Sequence, residues 1–169
     1  MDTYLAVASK RDWRSYARRP LPDDVVGRIL DAGRLAGSAV NRQPWMFVVV
    51  ESPELKERLA DTVYAGANVR NAALVVAIVT EGGKSALDVG RAMQNMFLVA
   101  WNDGVVSCPN GMPEPERAAE ALGLEGGEQP VIVLSFGYPA RPQDPEGRPA
   151  DEWSGQANRK ALDEVVKRV

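Results

Sequence analysis

The sequence predicts an α+β layered domain, and two patterns carry that prediction. Apolar runs of strand length stand at 45–50, 72–79 and 131–136, and stretches with helical spacing of apolar residues separate them at 22–36, 53–63 and 85–102. With 169 residues, 45% of them hydrophobic and 25% charged, the chain has the makeup of one globular domain, or of a compact subunit completed by pairing.

Thr3 to about Arg11 reads as a helix with a narrow apolar face of Tyr4, Leu5 and Ala8. Pro22–Ala36 opens on Asp23 and Asp24, acids that suit a helix N-terminus, and repeats Val25, Val26, Ile29 and Leu30 at helical spacing. Residues 37–44 read as a loop because Pro44 disfavours helix at Gln43, and Trp45–Val50 follows as a buried strand. Ser52, Pro53 and Glu54 supply an N-cap, an N1 proline and a first-turn acid for a helix running to about Val63. Ala72–Val79 is an unbroken run rich in β-branched residues, the mark of a central strand covered on both faces. From Ser85 to about Asn102 apolar residues fall almost all round the helix, which calls for burial on both sides and hence for a dimer core. Residues 104–108 read as a short strand, Pro113–Leu122 as a helix and 131–136 as a further central strand. The core therefore spans 1–137. Residues 138–169 open with a proline-rich run, Tyr138 to Pro149, that cannot pack a core alone and reads as an extended tail laid over a surface, a partner subunit's included.

Composition excludes several chemistries. There is no histidine, which removes the usual serine triad, the Cys-His dyad, histidine-bearing zinc sites and histidine-ligated haem. Cys108 is the single cysteine, so no intramolecular disulfide exists and a reducing compartment is expected. The N-terminus lacks the basic start and apolar run of a signal peptide, and no run reaches membrane-spanning length, so the expectation is a cytoplasmic protein without a membrane partner. A net charge of -3 and a pI near 5.1 argue against nucleic acid as a partner.

Gly82-Gly83-Lys84-Ser85 resembles the end of a phosphate-cradling loop, but Ile78 stands where its first glycine belongs, and a turn with Ser85 capping the next helix accounts for it better. No GxGxxG is present. The acids Asp23-Asp24 and Glu114 with Glu116 sit at helix starts, where the macrodipole explains them. Cys108 has no imidazole to activate it and reads as a buried thiol. Two segments point instead to a ligand. Arg11-Asp12-Trp13-Arg14-Ser15-Tyr16-Ala17-Arg18-Arg19 holds four arginines in nine residues, with Arg11 and Arg14 spaced to share one helical face or one turn. Ser38-Ala39-Val40-Asn41-Arg42-Gln43-Pro44-Trp45 is a polar loop running into a buried strand.

In the order Arg11-x-x-Arg14-x-Tyr16, Pro20-Leu21-Pro22, then Ser38-x-x-Asn41-x-Gln43-Pro44-Trp45, the chain resembles the N-terminal signature of the flavin-dependent nitroreductase family. Asp88–Ala100 is similar to that family's long central helix, Gly104–Met112 to its next strand and glycine loop, and Phe136–Pro139 to its last strand. The resemblance implies a mixed sheet flanked by helices, an intertwined homodimer, and FMN held at the interface. It also implies NADH or NADPH as donor and a small-molecule acceptor, a nitroaromatic, quinone or related compound, in ping-pong turnover. The chemistry then resides on the flavin, with no side chain as an essential general acid. Arg11 and Arg14 match the family's phosphate and ribityl contacts, and Arg159 matches an arginine returning from the C-terminal tail. Gly37, Ser38, Ala39 and Asn41 match the loop that reaches the flavin from the other subunit. Ser107, Cys108, Pro109, Asn110 and Gly111 match the segment whose backbone lies near the ring.

The chain departs from the family pattern at Asp12, where many members have serine and where an anion falls close to the implied phosphate. Gly37 replaces a proline, Asn110 stands where some members carry glutamate, and the connections 64–73 and 104–113 are short for helical insertions over the site. Two rival readings stay open: a flavin-dependent dehydrogenase on the same fold, and a non-enzymatic module binding flavin or another phosphate-bearing ligand.

Overall fold

A computed structural model describes residues 1–82 and 85–169, which form two compact units. The larger, Arg11–Gln143, contains helix α2 (Asp23–Arg34), strand β1 (Met46–Val49), helices α3 (Pro53–Ala60) and α4 (Gly66–Asn71), β2 (Leu74–Glu81), α5 (Ala86–Asn102), β3 (Val106–Asn110), α6 (Pro115–Leu122) and β4 (Glu128–Gly137). The four strands form one sheet in the order β1-β2-β4-β3, and each ladder is antiparallel. The parallel pairing among the described residues is a single bridge, Asp12 to Ser107, at the β3 edge.

β2 occupies the interior place that its sequence demands: seven of its eight residues are buried, leaving only Glu81 exposed. β4 carries Pro130 opposite Val79, where the register shifts, so the missing N–H falls at an irregularity and not inside a regular ladder. The core joins α2 and α5 to the sheet through Ile29, Val76, Ile78, Met96, Phe97 and Phe136, and Phe97 meets Phe136 edge-on at 5.7 Å. Gly33 lets α2 approach closely, since a Cβ there would lie 2.8 Å from Phe47 Cζ and 2.9 Å from Met96 Sδ. Helix starts follow the sequence: Ser52 accepts from the Leu55 amide at 3.1 Å, and Asp23, Asp24 and Glu116 sit in first turns.

Four expectations are corrected. The Arg11–Arg19 segment is not helical: it is an extended arm bridging Ser107 and Pro139, so Arg11 and Arg14 share no helical face. The helix from Pro53 stops at Ala60, and the short connection from Tyr64 to Ala73 holds a helix of its own, α4. Ser85 flanks α5 with φ +68° and makes no capping bond; Gly83 and Lys84, the middle of the loop-like run, lie outside the described residues. The tail is not extended throughout, because it contains α7 (Ala150–Gly155) and α8 (Leu162–Val165).

The smaller unit comprises Met1–Lys10 and Asp144–Val169. Within it α1 (Thr3–Ser9) packs against α7, Asp2 caps α1 by accepting from the Leu5 amide at 2.9 Å, and Trp153 Nε1 donates to the Pro145 carbonyl at 2.9 Å.

Candidate functional site

The arm is laid along the β3–β4 side of the sheet by backbone pairing. Trp13 N donates to Ser107 O at 3.0 Å, Ala17 N to Tyr138 O at 2.8 Å, and Ala140 N to Ser15 O at 3.0 Å. Tyr16 locks it down. Its buried hydroxyl lies 2.8 Å from Ser135 Oγ and donates to Trp13 O at 3.0 Å, and its ring packs on Gly137, where a Cβ would come within 3.0 Å of the ring. Burial pushes the Tyr16 pKa up to about 12, with the Ser135 hydrogen bond opposing; Arg14 and Asp12 act on it with opposite signs.

This places two of the predicted segments together. Arg11 is half-buried, Asp12 and Arg14 are exposed, and the arm carrying them is bridged at Asp12 to Ser107, the first of the 107–111 residues. At their junction two buried polar atoms, Trp13 Nε1 and Ser107 Oγ, have no hydrogen-bond partner among the described residues. A buried N–H or O–H left without a partner costs about 1–3 kcal/mol, a cost that a group bringing acceptors would remove. Arginine forks, an indole N–H and a serine hydroxyl suit the oxygens of a phosphate and a polyol, and in that respect the residues fit FMN. The Asp12 carboxylate is the one group here of the wrong sign.

Beyond Ser107 the strand turns inward. Cys108 and Asn110 are 1% and 2% exposed, which bears out the buried thiol. Asn110 is held by its own amide, which donates to Val133 O at 3.1 Å and Ser135 Oγ at 3.0 Å, and it accepts from Asn68 Nδ2 at 3.0 Å. Pro109 and Gly111 are partly exposed, and Gly111 lies under the Tyr64 ring, with its carbonyl accepting from the Tyr64 amide at 3.0 Å. Asn68 and Tyr64 thus shape the site, although no sequence signal marks them: each lies in an alanine-rich connection whose helix is too short to show periodicity.

The second predicted segment lies elsewhere. Residues 37–44 lead into β1, the opposite edge of the sheet from β3, with β2 and β4 between them. At the usual strand spacing that is a separation of about 14 Å. The loop is tied by Ser38, whose Oγ accepts from Gln43 N at 2.8 Å, and it is strained: Val40, Asn41 and Gln43 have φ of +45°, +56° and +49°. Asparagine tolerates this region, but valine does not, at a cost of about 1–3 kcal/mol. Val40 is nonetheless 84% exposed, an apolar tip held out from its own chain. A Cβ at Gly37 would meet only the end of the Arg91 side chain from α5, which can swing aside. A cleft of about 470 Å³ separates this loop from α5, whose outward Leu87 is exposed.

Arg159 belongs to the smaller unit, where its guanidinium donates to the Ala157 carbonyl at 2.9 Å. The acids read as structural are so used: Asp24 pairs with Arg28 at 2.8 Å, and no group of side chains suited to a metal ion occurs among the described residues. No helix among them is long and apolar enough to cross a membrane.

Comparison with known proteins agrees with this geometry. The sequence model of the nitroreductase family matches residues 7–83 and 83–138. A NADH dehydrogenase of Thermus thermophilus is 33% identical, over 88% of this chain and 92% of its own. Among solved structures, a nitroreductase family protein of Clostridium difficile superposes with a TM-score of 0.82 at 22% identity, covering 99% of this chain and 98% of its own. An FMN-dependent nitroreductase from the same species gives 0.75 at 22%, covering 85% and 90%.

Proposed function

This chain belongs to the nitroreductase family, and on that premise we propose that it is an FMN-dependent oxidoreductase acting as a cytoplasmic homodimer. It carries electrons from NADH or NADPH to a nitroaromatic, quinone or related small acceptor in ping-pong turnover. The observation that carries the reading is the junction of the arm with β3, where Trp13 and Ser107 each keep a buried hydrogen-bonding atom without a partner on a segment that carries Arg11 and Arg14. FMN, when bound, supplies the redox chemistry, accepting two electrons from the donor and releasing them to the acceptor.

The chain's own residues bind and orient. Arg11 and Arg14 offer charged donors to the phosphate and Ser107 and Trp13 offer the neutral ones, while Arg159 is a further cation by family resemblance alone. The segment Ser107–Gly111 would give the ring a fixed floor, since Cys108 and Asn110 are buried and Asn110 is tied to Val133. A backbone N–H of that segment could stabilise negative charge on a bound flavin without any titrating side chain.

The same layout supports the proposed pairing. Gly37, Ser38, Ala39 and Asn41 stand about 14 Å from β3 across the sheet, so they serve a flavin held by a second copy. The exposed Val40 and Leu87 give that second copy an apolar face to cover, and residues 138–169 complete the assembly.

Anaerobic addition of NADH or NADPH to the FMN-loaded protein tests the reading. Bleaching of the flavin spectrum, and its return with a quinone, is the expected result. A protein that neither takes up FMN nor is stabilised by it favours the rival reading, a phosphate-binding module without catalysis, for which the exposed Asp12 carboxylate is the specific support.

A further inference from the structure

We propose that the pocket between the end of the arm and helices α3 and α4 binds a small polyanion of the pyrophosphate class, at a site separate from the flavin phosphate. The pocket holds about 350 Å³, near the lower end for small-molecule sites, roughly 300–1,000 Å³. Four cationic side chains line it: Arg18 and Arg19 from the arm, Lys56 from α3 and Arg70 from α4, with Asn71 beside them.

Their charges are not equally compensated. Arg70 is held by Glu57 at 2.7 Å and by Asp61, and is spent on them. Arg18, Arg19 and Lys56 form no ion pair among the described residues. Three uncompensated cations around one pocket, in a chain whose net charge is -3, repel each other unless an anion joins them.

Two of the three are also held in place. Arg19 lies over the Tyr138 ring at 4.1 Å, and the half-buried Lys56 donates to the Ala72 carbonyl at 2.9 Å, a neutral partner that leaves two N–H donors unused. Cations fixed before the ligand arrives lose little freedom on binding it. The site is distinct from the Arg11–Arg14 junction, because its lining begins at Ala17 and includes neither of those arginines nor any of Ser107–Gly111. A pyrophosphate group occurs both in a nicotinamide dinucleotide and in free inorganic form, and the pocket's chemistry suits either.

Titration calorimetry with inorganic pyrophosphate, run on the protein with and without saturating FMN, tests the site. Saturable binding of one ligand per chain is expected with FMN saturating, and the FMN-free protein offers the Arg11–Arg14 junction to the anion as well. With FMN saturating, Lys56→Met, Arg19→Ala and Arg18→Ala should each weaken it about tenfold, the usual loss for one charged hydrogen bond, whereas Arg14→Ala acts on FMN affinity and not on this site. Displacement of pyrophosphate by NADPH supports the site and identifies the dinucleotide as its source; binding of pyrophosphate without that displacement supports it with a free phosphate ligand. The proposal is overturned if no saturable heat appears, or if Arg14→Ala abolishes binding that Lys56→Met and Arg19→Ala both retain.

Discussion

Replacing Tyr16 by phenylalanine removes the hydroxyl that fastens the arginine arm to the sheet. The cost follows from what the neighbours keep. Ser135 Oγ still accepts from Asn110 at 3.0 Å and donates to Cys108 O at 3.2 Å, so no buried side chain is orphaned. The loss is that of one neutral hydrogen bond, about 1 kcal/mol at pH 8. At alkaline pH the sign changes. Burial raises the folded pKa to about 12 while the unfolded tyrosine ionises near 10, so this stability is complete below about pH 10 and is lost as pH rises through about 12. Near pH 11 wild type has lost about 1.4 kcal/mol through this group, and Tyr16→Phe has lost none. Urea unfolding at pH 8 and pH 11 should therefore show wild type ahead by about 1 kcal/mol at the lower pH and level with, or behind, the variant at the higher. Tyr4, Tyr64 and Tyr138 are common to both proteins and cancel in the difference. An equal gap at both pH values refutes the reasoning.

Two glycines of α2 should respond oppositely to alanine in thermal melts. Gly27 has nothing within 4 Å of a new Cβ, so Gly27→Ala stabilises by about 0.5–1 kcal/mol, whereas at Gly33 the clash with Phe47 and Met96 makes alanine cost about 1–3 kcal/mol. A rise in both melting temperatures contradicts the close packing of α2 on α5 and β1. At the arm, Arg14→Ala should weaken FMN about tenfold and Asp12→Ser should tighten it, by flavin fluorescence titration; the same direction for both means the phosphate lies elsewhere. Arg159→Ala should lower FMN affinity and leave the mass of the assembly unchanged, and a dissociated assembly assigns this arginine to pairing.

Much of the fold was legible because its signals are local. The unbroken run at 72–79 marked an interior strand, and the cap at Ser52-Pro53 marked the start of α3 to the residue. The arm was misread because spacing alone cannot tell a helical face from an extended segment. Its hydrogen bonds go to Ser107 and Tyr138, far along the chain, and that pairing overrides an i, i+3 pattern with no apolar stripe behind it. Helix α4 left no trace because six residues complete less than two turns. The site shows the same division. Arginine spacing singled out Arg11 and Arg14 and the family resemblance singled out Ser107–Gly111, and the fold joins the two segments at Asp12 and Ser107, but the orphaned Trp13 and Ser107 atoms arise only from burial, and the distance of the 37–41 loop arises only from strand order.

The central claim is that flavin sits in a site completed by two copies of this chain. Sedimentation velocity of the FMN-loaded protein, followed by the flavin's visible absorbance, tests it most directly. The account predicts that the colour travels with a species of twice the 18.3 kDa chain mass and one flavin per chain. Flavin travelling on an 18.3 kDa species, or protein sedimenting without colour, contradicts it.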